Sequence, residues 1–211
     1  FVAVNACLIL ITQFHELFPN QEHIIHNTFP YFDGGTSISR TARPYPSWLI
    51  FKPAMFLTSY FLIKYWIYNK QIIEFFDHNH KYKTKILFFG IASAMALTIH
   101  SIFLGIKFDI QIYKLMRRVV LLLFIIFEII AQGILVYNFF KIKEKISNLI
   151  NKRILILKAF LVSILAIVAL LSLPILISKG NTHFKHALEW NYFVGVILFY
   201  LFSRLFWRGT T

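Results

Sequence analysis

The sequence contains a single cysteine, Cys7, so no disulfide can form within the chain and cysteine pairing says nothing about its compartment. Acidic residues are also scarce, with 9 Asp and Glu against 22 Lys and Arg, and the formal net charge is +13. The sequence has no P-loop, no dinucleotide fingerprint, no Gly-x-Ser-x-Gly elbow and no His-Glu-x-x-His helix motif. These absences remove the enzyme classes that such motifs define.

Apolar side chains dominate what is present: 58% of the 211 residues are hydrophobic and 18% are aromatic. A soluble domain is about 45–50% apolar, so this chain has too little polar surface to coat a globule. Lipid is therefore the expected solvent. The basic residues lie mainly between apolar runs or near their ends, where anionic headgroups attract them. We therefore expect membrane lipids as partners, with lipid bound to the chain, and no nucleic acid.

Six apolar runs predict an all-α fold, a polytopic membrane helix bundle that forms one transmembrane domain over residues 1–211. The predicted spans are residues 1–13, 47–68, 86–106, 119–140, 154–178 and 190–207, and residues 14–46 form a long outer loop. A span needs about 20 residues, so the first run, with about 13, is predicted to be the end of a longer helix or the remnant of a signal peptide. Lys158, near the start of the fifth run, is expected to extend toward the headgroups.

Lysines and arginines concentrate in the second-to-third and fourth-to-fifth connections and at the C-terminal end. In chain order these residues are Lys70, Lys81, Lys83, Lys85, Lys141, Lys143, Lys145, Lys152, Arg153, Arg204 and Arg208. Cytoplasmic loops carry an excess of Lys and Arg, so these connections and both termini are predicted to be cytoplasmic. The third-to-fourth connection departs from this pattern, because Lys107, Lys114, Arg117 and Arg118 crowd on the opposite side.

Two arginines of the outer loop, Arg40 and Arg43, are candidates for holding a lipid phosphate. They follow the Gly34-Gly35 turn and precede the second span, which places them at the level of the outer headgroups. Guanidinium groups bind phosphate through paired hydrogen bonds, and the backbone N–H groups of a glycine-rich turn can add to them. The other interpretation is an ordinary interfacial loop whose arginines touch lipid nonspecifically.

A carboxyl group inside a membrane span is costly and is by default a candidate functional group. Glu128 lies near the middle of the fourth run, with Gln132 one turn later, and His100 lies in the third run. Counted from the outer ends of these runs at about 1.5 Å per residue, the depths of Glu128 and His100 differ by only about 5 Å, which predicts an intramembrane polar pair. The other interpretation is a structural hydrogen bond between two helices, with Thr98 and Ser101 as further candidate partners.

Two histidines before the last run, His183 and His186, are followed by Glu189 at the same spacing of three. Together with His23 and His26 of the outer loop, they supply imidazole and carboxylate groups of the kind that zinc prefers. The other interpretation, interfacial histidines without a ligand role, is the favoured one, so a metal is the weaker expectation and no cofactor is assigned.

Short motifs in these same segments resemble a known family. They are Pro30-Tyr31, the Ile38-Ser39-x-Thr41 stretch with Pro44, Pro46 and Phe51, and the stretch from His183 to Trp190. The chain is similar in these motifs to the damage-regulated autophagy modulator family, which includes the FGF-receptor-activating protein and relatives that remodel GPI-anchor lipids. The resemblance implies six spans, a long first non-cytoplasmic loop, and a role in lipid remodelling, in regulating phosphoinositides or lipid asymmetry, or in autophagy.

These features predict a multi-pass membrane protein that binds or organises lipid, or has a regulatory role, and that is not an enzyme. Two other functions stay open. One is a membrane-embedded lipid-modifying enzyme that uses Glu128, His100 and the outer histidines, and bound metal would favour it. The other is an accessory subunit of a larger membrane complex, whose aromatic side chains pack against other membrane subunits, and copurifying chains would favour that.

Overall fold

The computed structural model describes residues 1–77, 83–106, 111–178 and 180–208, and within those ranges it contains helices and no β-strand. The predicted all-α class is therefore confirmed. The helices are α1 Val2–Gln13, α2 Ile38–Ala42, α3 Ser47–Phe76, α4 Lys83–Phe103, α5 Gln111–Ile142, α6 Lys152–Ile177 and α7 Thr182–Phe206. Two short 3-10 helices, His15–Leu17 and Gln21–His23, follow α1. Lys81 and Lys107, which the charge pattern uses, lie outside the described residues.

Three helices are long and apolar enough to cross a membrane, judged over the described part of the chain. They are Thr84–Phe103 in α4, Leu115–Ile142 in α5 and Lys152–Leu176 in α6, and the shorter α1 is also apolar. Large apolar side chains cover their outer faces: Phe88, Phe160 and Leu171 are 64%, 65% and 72% exposed. Apolar surface of this extent is unfavourable in water and is suited to lipid. These features are those of a membrane protein.

Local sequence sets several helix starts. Ser37 precedes α2, and its hydroxyl accepts a hydrogen bond from the backbone N–H of Arg40 at 3.1 Å. Asn151 caps α6 in the same way through the N–H of Arg153, also at 3.1 Å. Such side chains satisfy N–H groups that have no partner inside the helix. Helix α3 begins at Ser47, immediately after Pro46 and at the first residue of the predicted second span.

Successive helices pack side by side in an up-and-down order, from α3 through α4, α5 and α6 to α7, and α1 lies against α3. We call the end that carries residues 14–46 the loop end; there, the Lys52 amine donates to the Ile102 carbonyl at 3.3 Å. We call the opposite end the lysine end; there, the Lys145 amine donates to the Phe76 carbonyl at 2.8 Å. Every long helix therefore runs between these two ends.

Helix α7 is fixed at the lysine end by a short backbone pairing, which we call the C-terminal latch. The N–H of Asn151 donates to the Phe206 carbonyl at 2.8 Å, and the N–H of Arg208 donates to the Leu149 carbonyl at 2.7 Å. Ile150 and Trp207 lie opposite each other in this antiparallel bridge. The α5–α6 connection and the end of α7 are thereby held together.

Candidate functional site

A cavity of about 710 Å³ lies between α3, α5 and α7. Its walls are mostly apolar, and it extends along α7 from Glu189 near the loop end to Arg204 and Trp207 near the lysine end. Those positions are 18 residues apart in the sequence, which is about 27 Å at about 1.5 Å per residue. The cavity is therefore long and narrow, with a length close to that of the hydrocarbon core of a bilayer, about 30 Å.

Glu128 lies on the α5 wall of this cavity, and it is fully buried. Three side chains donate hydrogen bonds to its carboxylate: Ser93 to Oε2 at 2.6 Å, Gln132 to Oε1 at 3.0 Å, and the Tyr200 hydroxyl to Oε1. We call these four residues the carboxylate cluster. They come from α4, α5 and α7, so the cluster ties three helices together at one buried point.

The predicted pair of Glu128 and His100 is not formed. His100 also lies on the cavity wall, but its ring hydrogen-bonds to the backbone of Arg117, and its Nδ1 atom has no hydrogen-bond partner among the described residues. The predicted depth of Glu128 is counted from residue 119, where the fourth span is predicted to start, whereas helix α5 starts at Gln111. Glu128 is therefore deeper in the bundle than predicted, and Ser93, two turns inward from His100 on α4, lies opposite it.

Lys158 is a buried cation, contrary to the prediction that its side chain extends toward the headgroups. Its side chain does not reach the headgroups, since only 1% of it is exposed, and it lies between α6 and α7. Its Nζ donates to the Ser203 hydroxyl at 2.7 Å and lies 4.0 Å from the centre of the Phe199 ring. The Tyr65 hydroxyl lies 2.9 Å from the same Ser203 oxygen, on the cavity side. A hydroxyl group and an aromatic ring therefore take the place of water around this ammonium group.

A pair of tyrosines links the Glu128 carboxylate to the Lys158 amine across the cavity. The rings of Tyr65 and Tyr200 meet edge to face with their centres 5.0 Å apart. Tyr200 donates to Glu128, and Tyr65 contacts Ser203, which accepts from Lys158. A polar seam thus crosses an otherwise apolar cavity, and it can accept a hydrogen bond from a polar group of a bound molecule.

At the loop end, α7 holds the outer loop through hydrogen bonds to loop backbone, an arrangement we call the loop clamp. Trp190 Nε1 donates to the Thr36 carbonyl at 2.9 Å, and Asn191 Nδ2 donates to the Tyr31 carbonyl at 2.8 Å. Glu189 accepts hydrogen bonds from the backbone N–H groups of residues 38 and 39. Burial raises the pKa of the Glu189 carboxyl to about 7, against the opposing effect of these two hydrogen bonds.

The predicted metal ligands belong to the loop clamp. His183 Nδ1 lies 3.1 Å from the Asp33 carbonyl, and His186 Nδ1 lies 3.0 Å from the Gly34 carbonyl. In both rings this nitrogen carries the proton, because a carbonyl can only accept. Among the described residues, no group of three or more His, Cys, Asp or Glu side chains is placed to hold a metal. The structure thus gives both histidines backbone partners and brings no third ligand to them.

The predicted phosphate-binding arginines lie next to the loop end of the cavity. Ser39, the neighbour of Arg40, lines the cavity, and the Arg40 side chain is exposed. Arg43 is partly buried, and its Nε atom has no hydrogen-bond partner among the described residues. Burial and the positive charges of Arg117 and Arg40 lower the pKa of Arg43, so both of these arginines lie within electrostatic range of it.

Comparisons with protein-family models, with curated proteins and with solved structures find no match to this chain. The resemblance to the autophagy-modulator family therefore stays a prediction. The site has to be interpreted from its own geometry.

Proposed function

We propose that this chain is a multi-pass membrane protein that binds one lipid molecule in the cavity between α3, α5 and α7, and that its role is to organise or regulate lipid. In this proposal α1 and the five long helices form six spans. The supporting observation is the cavity itself: its volume of about 710 Å³ lies within the range of about 300–1,000 Å³ that is usual for small-molecule sites. Its apolar walls and its length suit an acyl chain.

The side of the cavity also supports a ligand that enters from the bilayer. Phe61 and Tyr68 line it from α3, and they are 59% and 56% exposed on the outer surface of the bundle. A ligand that enters past these side chains does not cross the polar ends of the helices. Membrane lipids are the apolar molecules present at that surface.

Filling the cavity is expected to exclude the lipid. Val196 lies on the cavity wall, whereas Val194, on the same helix, does not line it. We expect Val196→Trp to weaken the binding of phosphatidylcholine to the delipidated protein by about tenfold or more, which corresponds to about 1.4 kcal/mol, because the indole ring occupies the site. Val194→Trp makes the same change outside the cavity and should bind as the wild type does. Native mass spectrometry measures both; equal binding by the two variants would contradict the proposal.

The topology of the proposal has its own test. Phe32, at the loop end, is 85% exposed, and the Glu144 side chain, at the lysine end, is 74% exposed. We expect a membrane-impermeant maleimide to label Phe32→Cys on intact cells, and to label Glu144→Cys only after permeabilisation, since lysine-rich connections face the cytoplasm. The wild type is the blank, because its one cysteine, Cys7, is buried. Labelling of Glu144→Cys on intact cells would rule out this orientation.

A second candidate function, a membrane-embedded lipid-modifying enzyme, is favoured by one observation. The carboxyl of Glu128 and the hydroxyl of Tyr200 hydrogen-bond each other on the cavity wall, and such a pair can move a proton to or from a bound molecule. Incubation with a defined lipid separates the two functions. A binding protein returns the lipid with its mass unchanged, whereas an enzyme returns it with an altered mass, and Glu128→Gln abolishes that change.

A further inference from the structure

Three arginines from separate parts of the sequence converge at the loop end. Arg40 and Arg43 lie in and just after α2, and Arg117 lies in the second turn of α5. The positive charges of Arg117 and Arg40 both act on Arg43. We call these three residues the arginine cluster. Only the first two can be recognised as a pair from the sequence, since Arg117 is 74 positions away from Arg43.

The arginine cluster has hydrogen-bond donors in excess of its acceptors. The Nε atoms of Arg43 and Arg117 are both buried, and within the described residues neither has a hydrogen-bond partner. Nδ1 of His100, a residue that is only 7% exposed, also has no partner there, but the ring donates to the Arg117 backbone through its other nitrogen, so Nδ1 of the neutral ring is an acceptor and adds no donor. A buried donor without an acceptor costs about 1–3 kcal/mol, so two guanidinium donors in one place indicate a ligand that accepts hydrogen bonds.

Within the described part of the chain, the charge of the cluster is likewise uncompensated. The ion pairs among the described residues are Lys70–Glu74, Lys143–Glu144 and Lys152–Glu144, all toward the lysine end, and none includes an arginine of the cluster. Like charges that are held together repel each other, and the repulsion grows as the groups are buried. An anion placed among the three guanidinium groups removes this repulsion and supplies the missing acceptors.

The cluster adjoins the loop end of the cavity. His100 and Leu97 line the cavity from α4, Leu121 lines it one turn after Arg117, and Ser39 lines it beside Arg40. A molecule whose anionic group lies in the cluster therefore has its apolar part directed into the cavity. The two sites together match an amphiphile with a charged head and a hydrocarbon tail.

We propose that Arg40, Arg43 and Arg117 bind the phosphate of an anionic phospholipid whose acyl chain occupies the cavity. Guanidinium groups bind phosphate oxygens through paired, charge-assisted hydrogen bonds, and that geometry distinguishes a phosphate from a simple negative charge. This inference rests on the proposed function, which places the acyl chain of a lipid in the cavity, and it adds the chemical class of the lipid headgroup. It also gives a role to Arg117, one of the basic residues by which the third-to-fourth connection departs from the charge pattern of the other loops.

The test compares headgroups that share the same acyl chains. The delipidated full-length protein is titrated with phosphatidic acid, phosphatidylglycerol and phosphatidylcholine, and bound lipid is counted by native mass spectrometry. We expect both anionic lipids to bind about tenfold or more tightly than phosphatidylcholine, because the choline cation offsets the charge of its own phosphate and is repelled by the arginines. Arg43→Gln together with Arg117→Gln should abolish this preference, while phosphatidylcholine binding, which depends on the cavity, stays and confirms that the variant is folded.

Two further variants keep the test decisive. Arg40 is exposed, so Arg40→Gln leaves the fold intact, and it should reduce the preference about threefold. Lys152→Gln together with Arg153→Gln removes two exposed cations at the lysine end and should leave the preference unchanged. An equal loss in this control pair would overturn the inference, because the effect would then be one of overall charge.

The remaining outcomes separate the two proposals and the two sources of phosphate. If the wild type binds all three lipids equally, the headgroup inference is wrong and the proposed function stands. If it binds none of them, both are wrong. Inorganic phosphate and glycerol phosphate serve as competitors: phospholipid that stays bound in their presence supports a lipid ligand, whereas its displacement at similar concentrations would identify a free phosphate as the ligand and overturn the lipid assignment.

Discussion

Glu128→Leu is expected to lower the free energy of unfolding by about 2–4 kcal/mol. The substitution removes the acceptor that Ser93, Gln132 and Tyr200 share. It leaves the Gln132 and Tyr200 donors buried without this partner, while the Ser93 hydroxyl keeps the Gly90 carbonyl at 2.9 Å. Single hydrogen bonds inside membrane proteins average about 0.6 kcal/mol, but here three are lost at one point that joins three helices. For a chain of this size the melting temperature should fall by roughly 5–15 °C, measured by intrinsic fluorescence in detergent.

Two controls show whether the loss belongs to the carboxylate cluster. Glu144→Leu removes a carboxyl that is exposed at the lysine end, and it should change stability by no more than about 0.5 kcal/mol. Glu128→Gln keeps the shape and one acceptor, so its stability should lie between those of the wild type and Glu128→Leu. Equal melting temperatures for Glu128→Leu and Glu144→Leu would show that the cluster does not hold the helices together.

Gly34→Ala is expected to detach the outer loop from α7. Gly34 has a positive φ of 61°, and a Cβ atom there would lie 1.7 Å from the backbone carbonyl oxygen of His183. The obstacle is the backbone of α7, which cannot rotate away as a side chain would, so the loop itself has to move. We expect a loss of about 3 kcal/mol or more, together with faster hydrogen exchange at the N–H groups of residues 38 and 39, which bond to Glu189.

Gly180→Ala separates the clash from the backbone strain. Gly180 also has a positive φ, 92°, but a Cβ atom there meets nothing within 4 Å. An L-residue in this region costs about 1–2 kcal/mol, so Gly180→Ala should lose about that much and leave the loop protected. If hydrogen exchange at the N–H groups of residues 38 and 39 is equally fast in the two variants, the close approach of Gly34 to α7 does not hold the loop in place.

The helices are the part of the fold that the sequence predicts well. Apolar runs determine where they lie: α6 covers Lys152–Ile177, where the predicted span is 154–178. Their ends are less predictable, because a helix continues beyond its apolar stretch for as long as nothing breaks it. Helix α3 runs to Phe76, although its apolar run ends at residue 68, since the intervening residues form helix readily and Lys70 pairs with Glu74 at 3.3 Å.

The partners of the buried polar groups could not be predicted, because they depend on register and on helix rotation. Helix α5 starts eight residues before the predicted start of the fourth span. Because of this difference, Ser93 takes the place of His100 as the partner of Glu128. Lys158 lies only a few residues inside α6. Whether its side chain reaches the headgroups or points into the bundle depends only on which face of α6 packs against α7. One signal was available: Tyr200 and Ser203 lie three residues apart in an apolar run, so they share a face of α7 that needs polar partners.

Helix α7 is attached at both ends, by the loop clamp and by the C-terminal latch, while its middle borders the cavity. A rod fixed at both ends cannot swing outward to admit a molecule, so exchange has to proceed sideways, past Phe61 and Tyr68. A lipid bound as proposed would then equilibrate with the bilayer and not with water. Its occupancy should follow its mole fraction among the surrounding lipids, so diluting the extracted protein with buffer should leave the ligand in place, whereas diluting it with foreign lipid should replace it.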